Sequence, residues 1–217
     1  MRVAYINNCG LAEFAGEIAA VVYFQGCDMD CDYCQNPKLI DKSGEAHQMD
    51  DEQLINQISW KNIDGVSFTG GEPLCQIAFP QVVKVARYAF NIGKKVNLDT
   101  NGHFTQEKFN NLNAIYPYLT TLSVDIKYFT PGHIDGMLMA LKFPRFLGKC
   151  VFRTVLVNNV DKKNSVAGNL LKMNGITKIR VLRNSLGGKG ANLGETKDST
   201  VEDFRDYYKR FGIDVIE

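Results

Sequence analysis

Hydrophobic and polar positions along this chain repeat on two periods. Short runs rich in β-branched and aromatic residues fall at 19–24 (AAVVYF), 65–69 (GVSFT), 95–99 (KVNLD), 121–125 (TLSVD), 151–157 (VFRTVLV) and 178–182 (KIRVL), and they read as strands. Most are nearly continuous apolar runs, the pattern of strands covered on both sheet faces. Between them apolar residues recur at helical spacing over about 51–60, 79–91, 105–115, 134–147, 164–173 and 201–211. Thr105, three residues before Lys108, and Thr200, before Glu202 and Asp203, are candidate N-caps. Strand and helix alternating six times predict an α/β fold with right-handed crossovers and a parallel sheet. Periodicity leaves open whether that sheet is flat or curls into a partial barrel. No linker, repeat or low-complexity stretch interrupts it, so 1–217 is read as a single domain.

In such folds chemistry gathers at the carboxyl ends of the strands. Three cysteines follow the first predicted strand, Gly70, Gly71, Glu72 and Pro73 end the second, and Asp99, Thr100, Asn101 and Gly102 end the third. Asp125 and Lys127 end the fourth, and Arg153 lies inside the fifth. This topology allows all of them to face one cavity.

Composition narrows the partners. Twenty-five Lys+Arg against 24 Asp+Glu give a net charge of +1, so no global field draws the chain to nucleic acid or an anionic membrane. No run approaches the roughly 18 apolar residues that span a bilayer, and the first sixteen residues lack a signal-peptide pattern, so a cytoplasmic protein is expected. In a reducing cytosol six cysteines matter by spacing rather than number.

Cys27, Cys31 and Cys34 form C-x3-C-x2-C. Zinc or a reactive thiol cluster are the plain alternatives, but structural zinc takes four ligands, and the nearest histidine, His47, lies thirteen residues beyond Cys34. Iron–sulfur cubanes are held by thiolates, and three of them leave one iron open to a substrate. The Gly70–Gly71 pair removes two Cβ atoms where a ligand could approach the backbone, and Glu72 could enter a helix or brace the turn. Asp99 and Asp125 would be costly to bury unpaired, and Lys127 and Arg153 are the nearest counter-ions. That set is either a structural ion-pair network or a site for a zwitterion.

The cysteine motif with Tyr33 before its last member, followed about forty residues later by GGEP, resembles the radical S-adenosylmethionine superfamily. The runs FQGC, IDGVSFTGGEPL, VNLDTNG, SVDIK and FRTVLV are similar, in order and spacing, to activating enzymes of glycyl-radical enzymes, most of all those of anaerobic ribonucleoside-triphosphate reductase. The resemblance implies a radical SAM core, a partial (β/α)6 TIM-like barrel. It implies a [4Fe-4S] cluster on Cys27, Cys31 and Cys34, whose open iron chelates S-adenosylmethionine. Gly70, Gly71 and Glu72 would meet the methionine amino group, Lys127 and Arg153 its carboxylate, and Tyr33 the adenine. Pro73, Asp99, Asn101 and Asp125 complete the implied cofactor site, with a monovalent cation near Asp99, Thr100 and Asp125.

The implied reaction is reductive cleavage of S-adenosylmethionine to methionine and a 5′-deoxyadenosyl radical, which takes an α-hydrogen from a glycine of the partner. A flavodoxin- or ferredoxin-like protein would supply the electron. Two departures stand out: LRNS at 182–185 replaces the Pro-Tyr-His element of pyruvate formate-lyase activators, and residues 130–149 carry no recognisable motif.

Three rival readings remain: a pyruvate formate-lyase-type activator, a small-molecule enzyme like 7-carboxy-7-deazaguanine synthase, and a zinc-binding interaction module. Cys9, Cys75 and Cys150 read as buried packing residues, and His47, His103 and His133 as solvent-exposed. The glycine-rich run 186–194 reads as a mobile loop rather than a phosphate loop.

Overall fold

The computed structural model describes residues 1–12, 14, 17–141, 148–158, 161–184 and 187–217. Along the chain these form β1 (Arg2–Gly10), β2 (Ala19–Phe24), β3 (His47–Gln48), α1 (Asp51–Ile58), β4 (Gly65–Gly70), α2 (Phe79–Asn91), β5 (Lys95–Thr100), α3 (Gln106–Ile115) and β6 (Thr121–Asp125). There follow α4 (Pro131–Leu141), β7 (Cys150–Leu156), α5 (Ser165–Met173), β8 (Lys178–Arg183), α6 (Asp198–Lys209) and β9 (Asp214–Ile216). The fold is α/β with a mostly parallel sheet, and all six expected strands are present within a residue of their expected bounds.

The residues group into two compact units, Met1–Met29 with Lys38–Thr100 and Thr105–Ser123, and Asp30–Pro37 with Asn101–Phe104 and Val124–Glu217. In the first, the strand order is β3-β1-β2-β4-β5-β6. β2, β4 and β5 run parallel, with Phe24 opposite Gly70 and Phe68 opposite Leu98, and their side chains are almost wholly buried. β1 pairs antiparallel with β2 and was not expected: its residues are buried on alternate positions at most, and polar Asn7 and Asn8 break the apolar pattern. Tyr5 of β1 stacks on Tyr23 at 4.1 Å between ring centroids. Asp50 and Gln53 close a capping box on α1. Thr105 caps α3 as expected, its hydroxyl accepting the Lys108 N–H at 3.3 Å. Cys9 is exposed on β1, which corrects the expectation of a packing residue.

In the second unit β7, β8 and β9 run parallel, and the Ile126 N–H just beyond β6 reaches the Arg153 carbonyl at 2.7 Å. Phe129, Phe204 and Tyr208 pack their rings in its core. Asn164 caps α5 through two N–H groups. The last helix starts at Asp198 after Lys197, not after Thr200. The Thr200 hydroxyl instead donates to Asn158 Oδ1 at 3.0 Å. The helix expected over 134–147 begins earlier, at Pro131, and the 142–147 part of that expectation lies outside the described residues.

Within the expected mobile loop, Gly188–Leu193 forms a 3-10 helix that Asn184 clasps, donating to the carbonyls of Gly190 at 2.9 Å and Gly194 at 2.7 Å. His47 and His103 are exposed, whereas His133 is half-buried with its ring edge-on to Tyr128. Among the described residues no helix is long and apolar enough to cross a membrane.

Candidate functional site

In the first unit β2 delivers the chain into the first cysteine. Gly26, at φ +101°, turns it, and its N–H meets the Leu39 carbonyl at 2.8 Å while the Cys27 N–H meets that of Ile40 at 3.0 Å. The turn after β4 is sewn to the same stretch: the Gly71 N–H donates to the Phe24 carbonyl and the Glu72 N–H to that of Gly26, both at 2.8 Å. That approach leaves no room for side chains. A Cβ on Gly71 would stand 2.1 Å from the Gly26 carbonyl oxygen, and one on Gly70, at φ +109°, would stand 2.3 Å from the Phe24 nitrogen.

Glu72 braces this turn from within. It caps the 3-10 helix Pro73–Cys75 by accepting the Leu74 N–H at 3.2 Å, and it accepts the Thr100 hydroxyl at 2.9 Å. Lys108, whose side chain is 2% exposed, holds its Nζ 3.8 Å from Glu72 Oε2 and 3.2 Å from Asp28 Oδ2. Asp99 accepts the Asn97 amide at 2.8 Å. Burial pushes the Cys75 thiol up to about 12 against the opposing pull of Lys108, so this cysteine is held protonated.

In the second unit Cys31 and Cys34 share a short loop, with the Cys34 N–H on the Cys31 carbonyl at 3.1 Å. The Lys189 N–H donates to the Cys34 carbonyl at 2.8 Å, and Gly188 lies so close that its Cβ would stand 2.3 Å from that oxygen. Lys189 also pairs with Asp30, and the Gln35 amide reaches Asn184 Oδ1 at 3.3 Å. The segment that departs from the pyruvate formate-lyase activators thus fastens the cysteine loop through Asn184.

Asp125 joins two cations at the end of β6: Lys127 Nζ lies 2.9 Å from one carboxylate oxygen and Arg153 Nε 2.8 Å from the other. Burial alone would raise the Asp125 value, but Arg153 and Lys127 override it and hold the carboxyl below the usual range. Burial would likewise lower Lys127, and Asp125 holds it above an ordinary lysine. Gly102 lies under this group, since a Cβ there would stand 2.7 Å from the Asp125 carbonyl oxygen, and Asn101 Oδ1 accepts the His103 N–H at 3.0 Å.

The Tyr33 hydroxyl donates to the Lys127 carbonyl at 3.2 Å, and burial holds the phenol well above its ordinary value. Burial also raises the Cys31 thiol, with Lys127 opposing. A cavity of about 400 Å³, lined by Cys31, Tyr33, Lys127, Phe129, Lys162 and Leu193 among others, opens here, within the size range of small-molecule sites.

The expected residues therefore fall into two sets. Cys27, Gly70, Gly71, Glu72, Pro73, Asp99 and Thr100 belong to the first unit, and Cys31, Tyr33, Cys34, Asn101, Asp125, Lys127 and Arg153 to the second. Among the described residues no three Cys, His, Asp or Glu side chains converge as a preformed metal centre. The donor set nonetheless fits an iron–sulfur cluster: Cys27, Cys31 and Cys34 are half-buried thiols outside any disulfide, on loops fixed by backbone hydrogen bonds.

Three residues escaped the sequence reading. Lys108 stands four and seven residues before Leu112 and Ile115, on the buried face of α3, and a lysine at that spacing was the available signal. Asn184 carried none. Nor did Lys162, whose Nζ sits 4.9 Å from the Tyr33 ring centroid and donates to Thr154 Oγ1 at 3.1 Å and to the Val155 carbonyl. Burial, then repulsion by Lys127, lowers Lys162 to about 7.

A base so lowered costs stability fully below about 7, and the cost fades as pH rises toward the ordinary 10.5, where the unfolded chain also loses its proton. Lys162→Met is therefore expected to stabilise the protein at pH 6, by about 1–3 kcal/mol once the lost hydrogen bonds to Thr154 and Val155 are set against the relief. Urea unfolding at pH 6 and pH 10 should show that gain shrinking at the higher pH; a gain independent of pH would contradict the assignment.

A family profile described as a 4Fe-4S single cluster domain matches residues 15–131. A Methanocaldococcus jannaschii protein named as a glycyl-radical enzyme activating enzyme is 33% identical over 100 residues, covering 46% of this chain and 40% of that protein. The 7-carboxy-7-deazaguanine synthase of Clostridium acetobutylicum is 27% identical over 106 residues, covering 49% of this chain and 46% of the synthase. The match thus spans less than half the length of either relative. Among solved structures, Streptococcus suis SuiB bound to the precursor peptide SuiA superposes with a TM-score of 0.64 at 16% identity, over 90% of this chain and 47% of SuiB, a likeness of fold.

Proposed function

Since the chain belongs to the radical S-adenosylmethionine superfamily through its 4Fe-4S single cluster domain, we propose that it is an activating enzyme that generates a glycyl radical on a partner, anaerobic ribonucleoside-triphosphate reductase. The observation that carries this reading is the Asp125–Lys127–Arg153 group beside Cys31 and Tyr33, a set of both signs suited to an amino-acid zwitterion.

Cys27, Cys31 and Cys34 would ligate the [4Fe-4S] cluster. When bound, the cluster supplies the electron that cleaves S-adenosylmethionine. The Gly70–Gly71 turn, packed on the Cys27 loop and held in shape by Glu72, would meet the methionine amino group. Lys127 and Arg153 face the carboxylate, and Asp125 fixes both cations so that little side-chain freedom is lost on binding. Tyr33 offers a buried aromatic face to the adenine. A monovalent cation near Asp99, Thr100 and Asp125 belongs to the same proposed site. The electron donor would be flavodoxin- or ferredoxin-like, and the setting cytoplasmic.

The likeness to 7-carboxy-7-deazaguanine synthase favours a second reading, a small-molecule radical enzyme. One experiment separates the two. Anaerobically reconstituted protein, reduced and mixed with S-adenosylmethionine and a candidate reductase, should give a glycyl doublet in electron paramagnetic resonance. Cofactor cleavage that a pterin-like substrate accelerates, with no protein radical, would favour the synthase-like reading. Zinc without iron or sulfide would remove both in favour of an interaction module.

A further inference from the structure

Lys108 is the most deeply buried lysine described, and the cluster ligand Cys27 lies next in sequence to one of its partners. Its ammonium stands between Asp28, the neighbour of Cys27, and Glu72, the last residue of the glycine turn. The same helix reaches that turn a second time, where the Asn111 amide donates to the Leu74 carbonyl at 2.9 Å. Residues three apart on a helix share a face, so α3 grips the turn with two side chains of one stripe. A buried lysine is retained only where acceptors repay its desolvation, and here two carboxylates do so.

We propose that Lys108 is a positioning residue of the cofactor site, its ammonium tying the Cys27 loop, through Asp28, to the Gly70–Gly71–Glu72 turn. This rests on the radical reading above and adds to it a residue that touches neither cluster nor substrate. Lys108 offsets two carboxylates close to Cys27, so it sets both the geometry of the first ligand and the field at the cluster. Partners of this kind, one step removed from a metal ligand, typically change metal affinity by roughly 10–100-fold when lost.

The test uses anaerobically reconstituted full-length protein and reads iron stoichiometry, the rate of iron loss to a chelator and the cluster midpoint potential. Lys108→Met is expected to speed iron loss at least about tenfold and to move the potential negative. Asp28→Asn, which removes a negative charge from the same group, is expected to move it positive. Lys108→Arg should restore wild-type behaviour in part.

Shifts of opposite sign support the proposal, because a purely structural role would not produce them. Unmoved potentials, or shifts of one sign in both variants, overturn it. If Lys108→Met does not fold, Asp28→Asn and Lys108→Arg decide: an unmoved potential in Asp28→Asn overturns the proposal. A wild-type protein that assembles no cluster at all would instead defeat the radical reading itself.

Discussion

Asp125→Ala is expected to destabilise the folded protein by about 2–4 kcal/mol, since it leaves two largely buried cations facing each other without their shared anion. Residual exposure tempers the cost, as all three side chains remain 16% exposed. The pH dependence identifies the mechanism. A carboxyl held below its ordinary value contributes stability above that value, near 3.8, and loses it as pH falls through the folded value. Wild type and Asp125→Ala should therefore differ most near neutrality and converge in acid. Asp125→Asn, which keeps the shape and one acceptor, should cost less. Denaturant unfolding at pH 7 and pH 3 reads both features, and a difference that is the same at both pH values would remove the ion-pair account. The same variant should weaken S-adenosylmethionine binding, because Lys127 and Arg153 lose the group that fixes their direction.

The central strands were legible because both their faces are covered, so that β2, β4, β5 and β6 read as apolar runs with little competing pattern. β1 was missed because one face is exposed and its register slips between Val3 and Tyr5 and again between Asn7 and Gly10. β3 and β9, of two and three residues, are too short to carry a period. The site residues were found through motif spacing, which marks the ligands but not what holds them. Lys162 and Asn184 act through contacts made only on folding and leave no local trace, whereas Lys108 shows only as a lysine on the apolar stripe of α3, its partner Asp28 lying 80 residues away. Thr200 shows the reverse failure: a sound capping residue was drawn into a different hydrogen bond by Asn158.

Gly71→Ala carries the other large effect. The added Cβ would stand 2.1 Å from the Gly26 carbonyl oxygen, 2.6 Å from its carbon and 2.9 Å from the Leu39 oxygen, all backbone atoms that no rotamer change can clear. These same oxygens accept the Glu72 and Gly26 N–H groups, so relief must break the bonds that sew the turn to the Cys27 loop. A loss of about 3 kcal/mol or more is expected, together with poor iron incorporation, because the displaced segment carries Cys27 and Asp28. Gly136→Ala supplies the contrast: it lies within α4 with open space around its Cβ position, and it should stabilise by up to about 1 kcal/mol. Thermal unfolding of the apo-protein and iron content after reconstitution distinguish the two. A Gly71→Ala protein that melts like wild type and takes up full iron would show that the turn and the cysteine loop are not in contact, and would remove the physical reason for a glycine pair at this strand end.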